Sequence, residues 1–388
     1  MAGILPRISR PLIILSLTYL LYFGQLGILT PYLGIFLDGR GFSSADIGTL
    51  FALITLTRII GPSLWAGVAD KHGNPLQVMQ LGSLLTVVLF AGVFFVQGFW
   101  WLTLVFALMM MFWTAVLPQL EVITLQHLKP TSVSYGKIRL WGSVGFIVFA
   151  VIVGQSIDVF GSETPIYVST AVLALLFIAT LYITPVDTPQ QHDDVSGSWT
   201  LALKKPFVVF IVSSLLLQMS FGTFYGFFAL YMRDLGYDGT QTGLLIALGV
   251  LAEVGIFLVA SRIIIRFGVR LTLFISLALT AIRWWALGFA GELWLVVIVT
   301  QLLHALSFGL THATSVHFIH HFFPHKFQSR GQAIYISLTF GIGGAVGHFL
   351  SGQLWQDGAG AELAFGMAGA FAMAGALLLF LAPKKAFG

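Results

Sequence analysis

The chain has 388 residues, of which 57% are hydrophobic and 9% are charged, and its formal net charge at pH 7 is +4. Soluble domains carry about 25% charged residues, so this composition excludes a soluble enzyme and predicts an all-α membrane protein. The chain has no cysteine, which excludes disulfide bonds and thiolate metal sites, and we expect neither a metal nor a cofactor.

The apolar runs, taken in chain order, predict twelve membrane spans of ~20–25 residues each. Arg7 and Arg10 precede a first run that is too long for a signal peptide, so we expect it to be retained as the first span. The predicted spans cover residues 12–36, 44–69, 76–97, 99–126, 138–158, 164–184, 206–231, 240–264, 271–290, 293–318, 331–354 and 361–382.

A polar segment, residues 185–205, divides the chain almost in half. Its Pro, Gln, Asp and Ser content predicts a cytoplasmic linker. The sequence therefore predicts an N-terminal six-helix bundle over residues 1–184 and a C-terminal six-helix bundle over residues 206–388. Two six-span halves are the layout of a secondary transporter whose binding site lies at their interface, near the membrane midplane.

Lysine and arginine residues are unevenly divided between two sets of loops. The loops on the side of the two termini hold fifteen of them, and the opposite loops hold only Arg40 and Arg233. Because cytoplasmic loops carry the excess of basic residues, we expect both termini to be cytoplasmic, in a bacterial inner membrane. We expect the partners to be lipids and a small-molecule substrate rather than nucleic acid, and the chain to be a monomer.

Two opposite charges flank the turn between predicted spans 4 and 5. Glu121 and Arg139 each lie nine residues from Pro130, so antiparallel helices would place both roughly 9 Å or less inside the apolar layer. A charge there costs about 3 kcal/mol or more unless it is paired or hydrated, so this acid and base predict a substrate-binding site. The alternative is a structural ion pair that holds a gate closed.

Three ionisable residues occur in predicted spans 8, 9 and 10. Glu253 and Arg283 each lie fifteen residues from Gly268, the centre of the intervening turn, and His304 lies about midway along its span. A carboxylate, a guanidinium and an imidazole at one depth predict a proton-coupling site, and Arg283 and His304 are also candidate substrate-binding residues. The alternatives are a structural ion pair and, for His304, an interhelical hydrogen bond.

Other polar groups are candidates on weaker grounds. Tyr19, Tyr22, Gln25 and Trp141 place polar tips inside predicted spans and are candidate substrate-binding residues. Aromatic residues near span ends are, however, more often anchors at the membrane interface. The histidine-rich segment 317–325 is expected at that interface, with metal binding as the weaker alternative.

The loop after predicted span 2 carries a recognisable motif. ADKHGN at 69–74 is similar to the loop signature G-x-x-x-D-[RK]-x-G of the major facilitator superfamily, with Ala66 in place of the first glycine and Asp70 in register. The chain resembles this superfamily over its whole length, which implies twelve transmembrane helices in two pseudo-symmetric six-helix bundles. We expect Asp70, Lys71 and Gly73 to form a conformational latch.

Within the superfamily the chain resembles the phenylpropionate permease group, with lactose permease and nucleoside–proton symporters as more distant relatives. YGKIRLWGSVGF at 135–146 is similar to lactose permease, in which the acid and arginine that match Glu121 and Arg139 bind the sugar. LLHALSFGLTHAT at 302–314 and Arg58 in LTRIIGP are more similar to the phenylpropionate group.

The resemblance also matches Glu253, Arg283 and His304 to the proton-coupling and substrate-binding residues of lactose permease. Two positions depart from that pattern: Gln301 stands where lactose permease has a lysine, and Ser307 stands where it has its proton-carrying glutamate. Glu253 is therefore the expected proton carrier in this chain, with the proton as the coupling ion.

Together these observations predict a proton-coupled symporter of a small organic solute, which works by alternating access. The best candidate for the solute is an aromatic carboxylate such as phenylpropionate, bound by Arg58 or Arg283. A neutral sugar or nucleoside is the alternative, because the carboxylate of Glu121 suits hydroxyl groups better than it suits an anion. An intramembrane enzyme is disfavoured, because the sequence has no GxSxG, HExxH or phosphate-loop motif.

Overall fold

The computed structural model describes residues 9–72, 74–185, 199–383 and 387, and these residues form twelve helices long and apolar enough to cross a membrane. The predicted number of spans is thus confirmed. The helices are α1 (Arg10–Gly39), α2 (Ser44–His72), α3 (Pro75–Phe94), α4 (Phe99–Leu128), α5 (Tyr135–Phe160), α6 (Thr164–Leu181), α7 (Lys205–Asp234), α8 (Gly239–Phe257), α9 (Val269–Ala290), α10 (Trp294–Phe322), α11 (His325–Gly358) and α12 (Ala361–Leu381).

Local sequence signals fix several helix starts. A proline stands in the first turn of α1, α3, α6 and α7, where its missing N–H would have no helical partner in any case. Asn74 caps α3 by accepting a hydrogen bond from the backbone N–H of Gln77 at 3.1 Å. Asp238 caps α8 in a reciprocal capping box with Gln241.

Two helices depart from the predicted spans. The predicted span 240–264 is too long, because α8 ends at Phe257 and a separate short helix covers Ala260–Phe267. This segment contains a glycine and several β-branched residues, which form helices less readily than Ala or Leu. In α4 the helix opens at residues 114–115, because Pro118 has no N–H for the carbonyl four residues earlier.

Two helices contain π-helical turns, which sequence reasoning did not predict. They cover Ala305–Leu310 in α10 and Ile336–Gly343 in α11. A π-turn inserts an extra residue into an α-helix and is frequently found at functional sites. The first of these turns begins directly after His304.

Helices from the two sides of the linker pack closely on each other. α5 packs on α8, α2 packs on α11, and α1 packs on α7. Glycines allow this approach: a methyl group on Gly48 of α2 would lie 2.6 Å from the Cα of Gly352 in α11. The division into bundles 1–184 and 206–388 stays a prediction, and the linker residues 186–198 lie outside the described residues.

Two aspartates cap helices that belong to the other half of the chain. Asp158, near the end of α5, accepts hydrogen bonds from the backbone N–H groups of Gly239 at 2.7 Å and Thr240 at 3.0 Å, at the start of α8. Asp357, near the end of α11, accepts one from the hydroxyl of Ser44 at 2.6 Å, at the start of α2. The two contacts lie at matching places in the two series of six helices, and we call them the cap contacts.

The cap contacts close the molecule on the side opposite the start of α1 and the end of α12. Arg233 adds a salt bridge to Asp38 on that side, at 2.5 Å between Nη1 and Oδ2. On the side of the termini, exposed residues such as Gly136, Leu140 and Leu258 line an internal cavity. The molecule is therefore closed on one side, and the cavity reaches the surface on the other side.

Candidate functional site

A cavity of about 790 Å³ lies between the two series of helices. Residues of α1, α2, α4, α5, α7, α8, α10 and α11 line it, and much of the wall is aromatic, including Phe51, Trp113, Phe221, Phe224 and Phe308. The charged, imidazole and amide side chains on its wall are Gln25, Arg139, Gln218, Glu253, Gln301, His304, His312 and His348. This volume and mixture of apolar wall and few polar groups suit a small organic ligand.

The three predicted proton-coupling residues lie in one group. Nη1 of Arg283 lies 3.1 Å from Nδ1 of His304, and Nε2 of His304 lies 3.8 Å from Oε2 of Glu253. We call this group the Arg–His–Glu chain. Glu253 and His304 line the cavity, whereas Arg283 is fully buried behind them and is not part of the wall.

The Arg–His–Glu chain fixes the tautomer of its imidazole. A guanidinium only donates hydrogen bonds, so Nδ1 of His304 must accept from Arg283. The proton of a neutral His304 is therefore assigned to Nε2, which faces the carboxylate of Glu253. At 3.8 Å the two groups are not hydrogen-bonded in this conformation, and a closer approach of about 1 Å would let Nε2 donate to the ionised carboxylate.

Arg283 has no carboxylate partner among the residues that the structure describes. Its guanidinium carbon lies 4.7 Å from the ring centre of Phe224 and 4.2 Å from that of Trp284, and its Nε and Nη2 atoms have no hydrogen-bond partner there. Aromatic faces stabilise a desolvated cation by about 2 kcal/mol. The arginine is thus held as a buried cation by rings and by His304.

The predicted Glu121–Arg139 pair is not a direct ion pair within the described part of the chain. Glu121 instead accepts a hydrogen bond from the hydroxyl of Tyr135 at 3.2 Å and does not line the cavity. The guanidinium carbon of Arg139 lies 3.7 Å from the ring centre of Phe23. Arg139 lines the cavity, as does Glu253 of α8.

Four further substrate-binding candidates occupy three kinds of position. Gln25 lines the cavity, whereas Tyr19 and Tyr22 are buried behind its wall. Tyr22 stacks on Trp113 with ring centres 4.1 Å apart, so it supports the wall from behind. The structure does not bring Trp141 to the cavity, because its side chain is 47% exposed on the outer surface of α5.

Four predicted residues cannot be placed. The side chains of Arg58, Asp70 and Lys71 lie outside what the structure describes, and so does Gly73 as a whole. Their predicted roles in substrate binding and in the latch stay predictions. In the histidine-rich segment, the rings of His317 and His321 lie 4.1 Å apart, but no described group of three or more His, Asp or Glu side chains could hold a metal ion.

Several wall residues were missed as candidates. Gln301 lies three residues before His304, one helical turn away, and this spacing could have identified it. Gln218, His312 and His348 are isolated polar residues inside apolar spans, which is the only signal they carry. All four were visible in the sequence, but their orientation toward one cavity was not.

Comparisons with known proteins cover nearly the whole chain. The family model described as "MFS_1 like family" matches residues 12–367. A protein named "Probable 3-phenylpropionic acid transporter" from Escherichia coli (strain K12) is 29% identical over 383 residues, covering 95% of this chain and 97% of its own length. The "Maltose permease" of Geobacillus stearothermophilus is 28% identical, covering 96% of this chain and 94% of its own length.

A solved structure has the same fold. The crystal structure of nucleoside transporter NupG matches with a TM-score of 0.86 and covers 96% of this chain and 99% of that chain. The sequence identity is 16%, so this likeness supports the helix arrangement and not a shared substrate.

Proposed function

The chain belongs to the MFS_1 like family of transporters and is not an enzyme, and from this premise we propose that it is a proton-coupled symporter of a small organic solute. The observation that carries the proposal is the Arg–His–Glu chain, which places an ionisable carboxyl group on the wall of a cavity between the two halves. Residues 1–184 would rock against residues 206–388, so that the cavity opens to each side in turn.

We infer that Glu253 carries the proton and that its charge state decides whether Arg139 can bind an anion. Arg139 and Glu253 line the same cavity, so an ionised Glu253 would attract the guanidinium of Arg139. Protonation removes the negative charge and leaves the guanidinium of Arg139 available to an anion. A proton and an anionic solute would then bind together, because each makes binding of the other more favourable.

The proposed solute is an aromatic carboxylate. Arg139 is the only arginine on the described wall of the cavity, and aromatic side chains surround it. Arg283 lies behind the wall, so its proposed role is to hold His304 rather than to bind the carboxylate directly. The name of the Escherichia coli relative, "Probable 3-phenylpropionic acid transporter", supports the same class of solute.

We further propose a location in the bacterial inner membrane with both termini in the cytoplasm. The excess of basic residues on the side of the termini supports this orientation. In that orientation the cavity reaches the cytoplasmic surface, and the cap contacts close the outer side.

A neutral solute is the second candidate. The names of other relatives, a maltose permease and a nucleoside permease, favour it. Glu121, which favoured it at the level of sequence, does not line the cavity and adds no support. A neutral solute would leave Arg139 without an anionic partner when Glu253 is protonated.

The test is uptake into proteoliposomes under an imposed pH gradient. Wild-type protein should accumulate labelled phenylpropionate above its external concentration. Glu253→Gln should abolish accumulation while still exchanging solute at equal concentrations, and the control Glu292→Gln, an exposed carboxyl on the closed side, should behave as wild type. Full accumulation by Glu253→Gln would refute the proton assignment, and uptake of maltose or adenosine in place of phenylpropionate would refute the proposed solute class.

A further inference from the structure

Two glutamines on the cavity wall have no hydrogen-bond partner within the described chain. Gln25 lies at the middle of α1 and is 2% exposed, and Gln301 lies in α10 and is 0% exposed. Both the oxygen and the nitrogen of each side-chain amide lack a partner. Each half of the chain thus contributes one buried, unpaired amide to the same cavity.

Such groups are unfavourable unless something binds them. A buried amide that has lost its contact with water is destabilising, whereas an apolar side chain of similar shape at the same place is not. Native structures rarely retain unpaired buried polar groups without a functional reason. Their position on the wall of a transport cavity suggests that the reason is the solute.

Gln301 directly adjoins the proposed proton site. It lies one helical turn before His304 on α10, and Gly249 lies one turn before Glu253 on α8. A methyl group on Gly249 would lie 3.4 Å from Cβ of His304 and 3.6 Å from Oε1 of Gln301. Both distances are ordinary van der Waals contacts, so α8 at Gly249 lies directly beside His304 and the amide of Gln301.

We propose that Gln25 and Gln301 form an amide clamp that recognises a hydroxyl group on the transported solute. This inference rests on the proposed function and extends it from aromatic carboxylates to hydroxylated ones. An amide both donates and accepts hydrogen bonds, and so does a hydroxyl group, whereas a carboxylate only accepts. Arg139 takes the carboxylate end, and the clamp takes the hydroxyl end of the same molecule.

The clamp also contributes to coupling. A ligand shifts a conformational equilibrium only by the difference between its affinities for the two states. A solute held by Gln25 of α1 and by Gln301 of α10 contacts both halves, so its binding free energy depends on their relative position. The two amides are covered by protein in this conformation, so the clamp requires a rotation about their side-chain bonds to reach the solute.

The first experiment compares 3-phenylpropionate with 3-(4-hydroxyphenyl)propionate, which differ by one hydroxyl group. Purified wild-type protein should bind the hydroxylated acid about tenfold more tightly, the value of one net hydrogen bond. Gln25→Met and Gln301→Met should each bring the two affinities to within about twofold. Gln119→Met, a buried glutamine of α4 outside the cavity wall, should keep the wild-type preference.

The outcomes separate the clamp from the proposed function. An unchanged preference in both cavity variants refutes the clamp while leaving an aromatic acid transporter intact. If adenosine or maltose binds and neither acid does, the proposed solute class fails, and the clamp is judged by whether both variants weaken the neutral ligand about tenfold. Failure of all four compounds to bind contradicts both proposals.

The second experiment needs no ligand. If the amides serve the solute, Gln25→Met and Gln301→Met should leave the melting temperature of the ligand-free protein in detergent unchanged or raise it. If the two amides instead stabilise the folded protein, both variants should have lower melting temperatures. A lower melting temperature for both variants refutes the clamp independently of any substrate.

Discussion

Arg283 donates a hydrogen bond to Nδ1 of His304 over 3.1 Å, so a fully buried cation decides which imidazole nitrogen faces the cavity. The other nitrogen then carries the proton and points toward Glu253. The proposed proton carrier is thereby connected to a residue that the solute does not reach. This arrangement predicts that Arg283 acts on coupling through His304.

Replacing Arg283 by methionine tests this relationship. Arg283→Met removes the donor that holds Nδ1 as an acceptor, so the imidazole can take either tautomer. We expect a lower ratio of internal to external solute at a fixed pH gradient, with binding of the solute at equilibrium changed less than about threefold, because Arg283 does not line the cavity.

The matched control is Arg270→Gln. Arg270 lies on the same helix, and its Nη1 donates to the backbone oxygen of Ala382 at 3.1 Å, away from the cavity. It should accumulate solute as wild type does. A normal accumulation ratio in Arg283→Met would show that the tautomer of His304 is irrelevant to coupling.

The charge on Arg139 should decide selectivity for an anion. Arg139→Gln should weaken binding of 3-phenylpropionate by about tenfold to a hundredfold, the worth of a hydrogen bond to a charged group. The neutral amide 3-phenylpropionamide should lose less than about threefold, because it has no charge for the guanidinium to pair with. Titration calorimetry with both compounds measures the difference.

An equal loss for the acid and the amide would contradict the assignment of Arg139 to the carboxylate. Arg40→Gln provides the control, since Arg40 pairs with Glu163 at 2.8 Å on the closed side of the molecule. This variant should bind both compounds as wild type does.

Depth in the membrane could be predicted from sequence, but direction around a helix could not. Counting residues from Gly268 placed Glu253 and Arg283 at one level, and the structure brings both to His304. The same count from Pro130 placed Glu121 and Arg139 at one level, yet Glu121 faces Tyr135 and Arg139 faces Phe23.

The difference has a physical cause. The number of residues fixes the rise along a helix at ~1.5 Å each, whereas the azimuth depends on helix packing and on local breaks. The breaks in this chain are the opening before Pro118 in α4 and the π-turn after His304 in α10. The twelve spans were predictable because ~20 apolar residues are needed to cross a membrane.

The cap contacts should bias the molecule toward the state in which the side that carries them is closed. Asp158→Ala removes the acceptor for two N–H groups of α8, and Asp357→Ala removes the acceptor for Ser44 of α2. Loss of a helix cap costs about 1 kcal/mol, so each variant should shift the ratio of open to closed molecules on that side about fivefold.

Distances between two spin labels would measure this shift. The chain has no native cysteine, so only introduced cysteines would carry a label. Cysteines replacing the exposed residues Phe95 and Leu293 would report the separation of the two halves on the closed side. Asp46→Ala is the control, since the Asp46 carboxylate accepts hydrogen bonds from Ser43 of its own half. Distance distributions identical to wild type in both cap variants would rule out a role for these contacts in closure.

Gly309 should control how closely Glu253 approaches His304. It lies in the π-turn of α10, and a methyl group there would lie 2.7 Å from Cγ2 of Ile256 and 3.0 Å from Cγ of Glu253. Gly309→Ala must therefore displace the Glu253 side chain or separate α8 from α10. Overpacking of this kind costs about 1–3 kcal/mol, so we expect a lower melting temperature and slower proton-driven uptake.

Gly255→Ala isolates the steric effect, because no atom outside the glycine's own helical surroundings lies within 4 Å of a methyl group at this position of α8. Alanine is the better helix former by about 1 kcal/mol, so this variant should keep wild-type uptake and gain stability.

In Gly309→Ala, proton-driven uptake should be reduced more than uptake without a pH gradient, since the methyl group acts on the Glu253–His304 contact. Equal reduction of both rates would mean that the methyl group impedes rocking of the halves rather than the proton site.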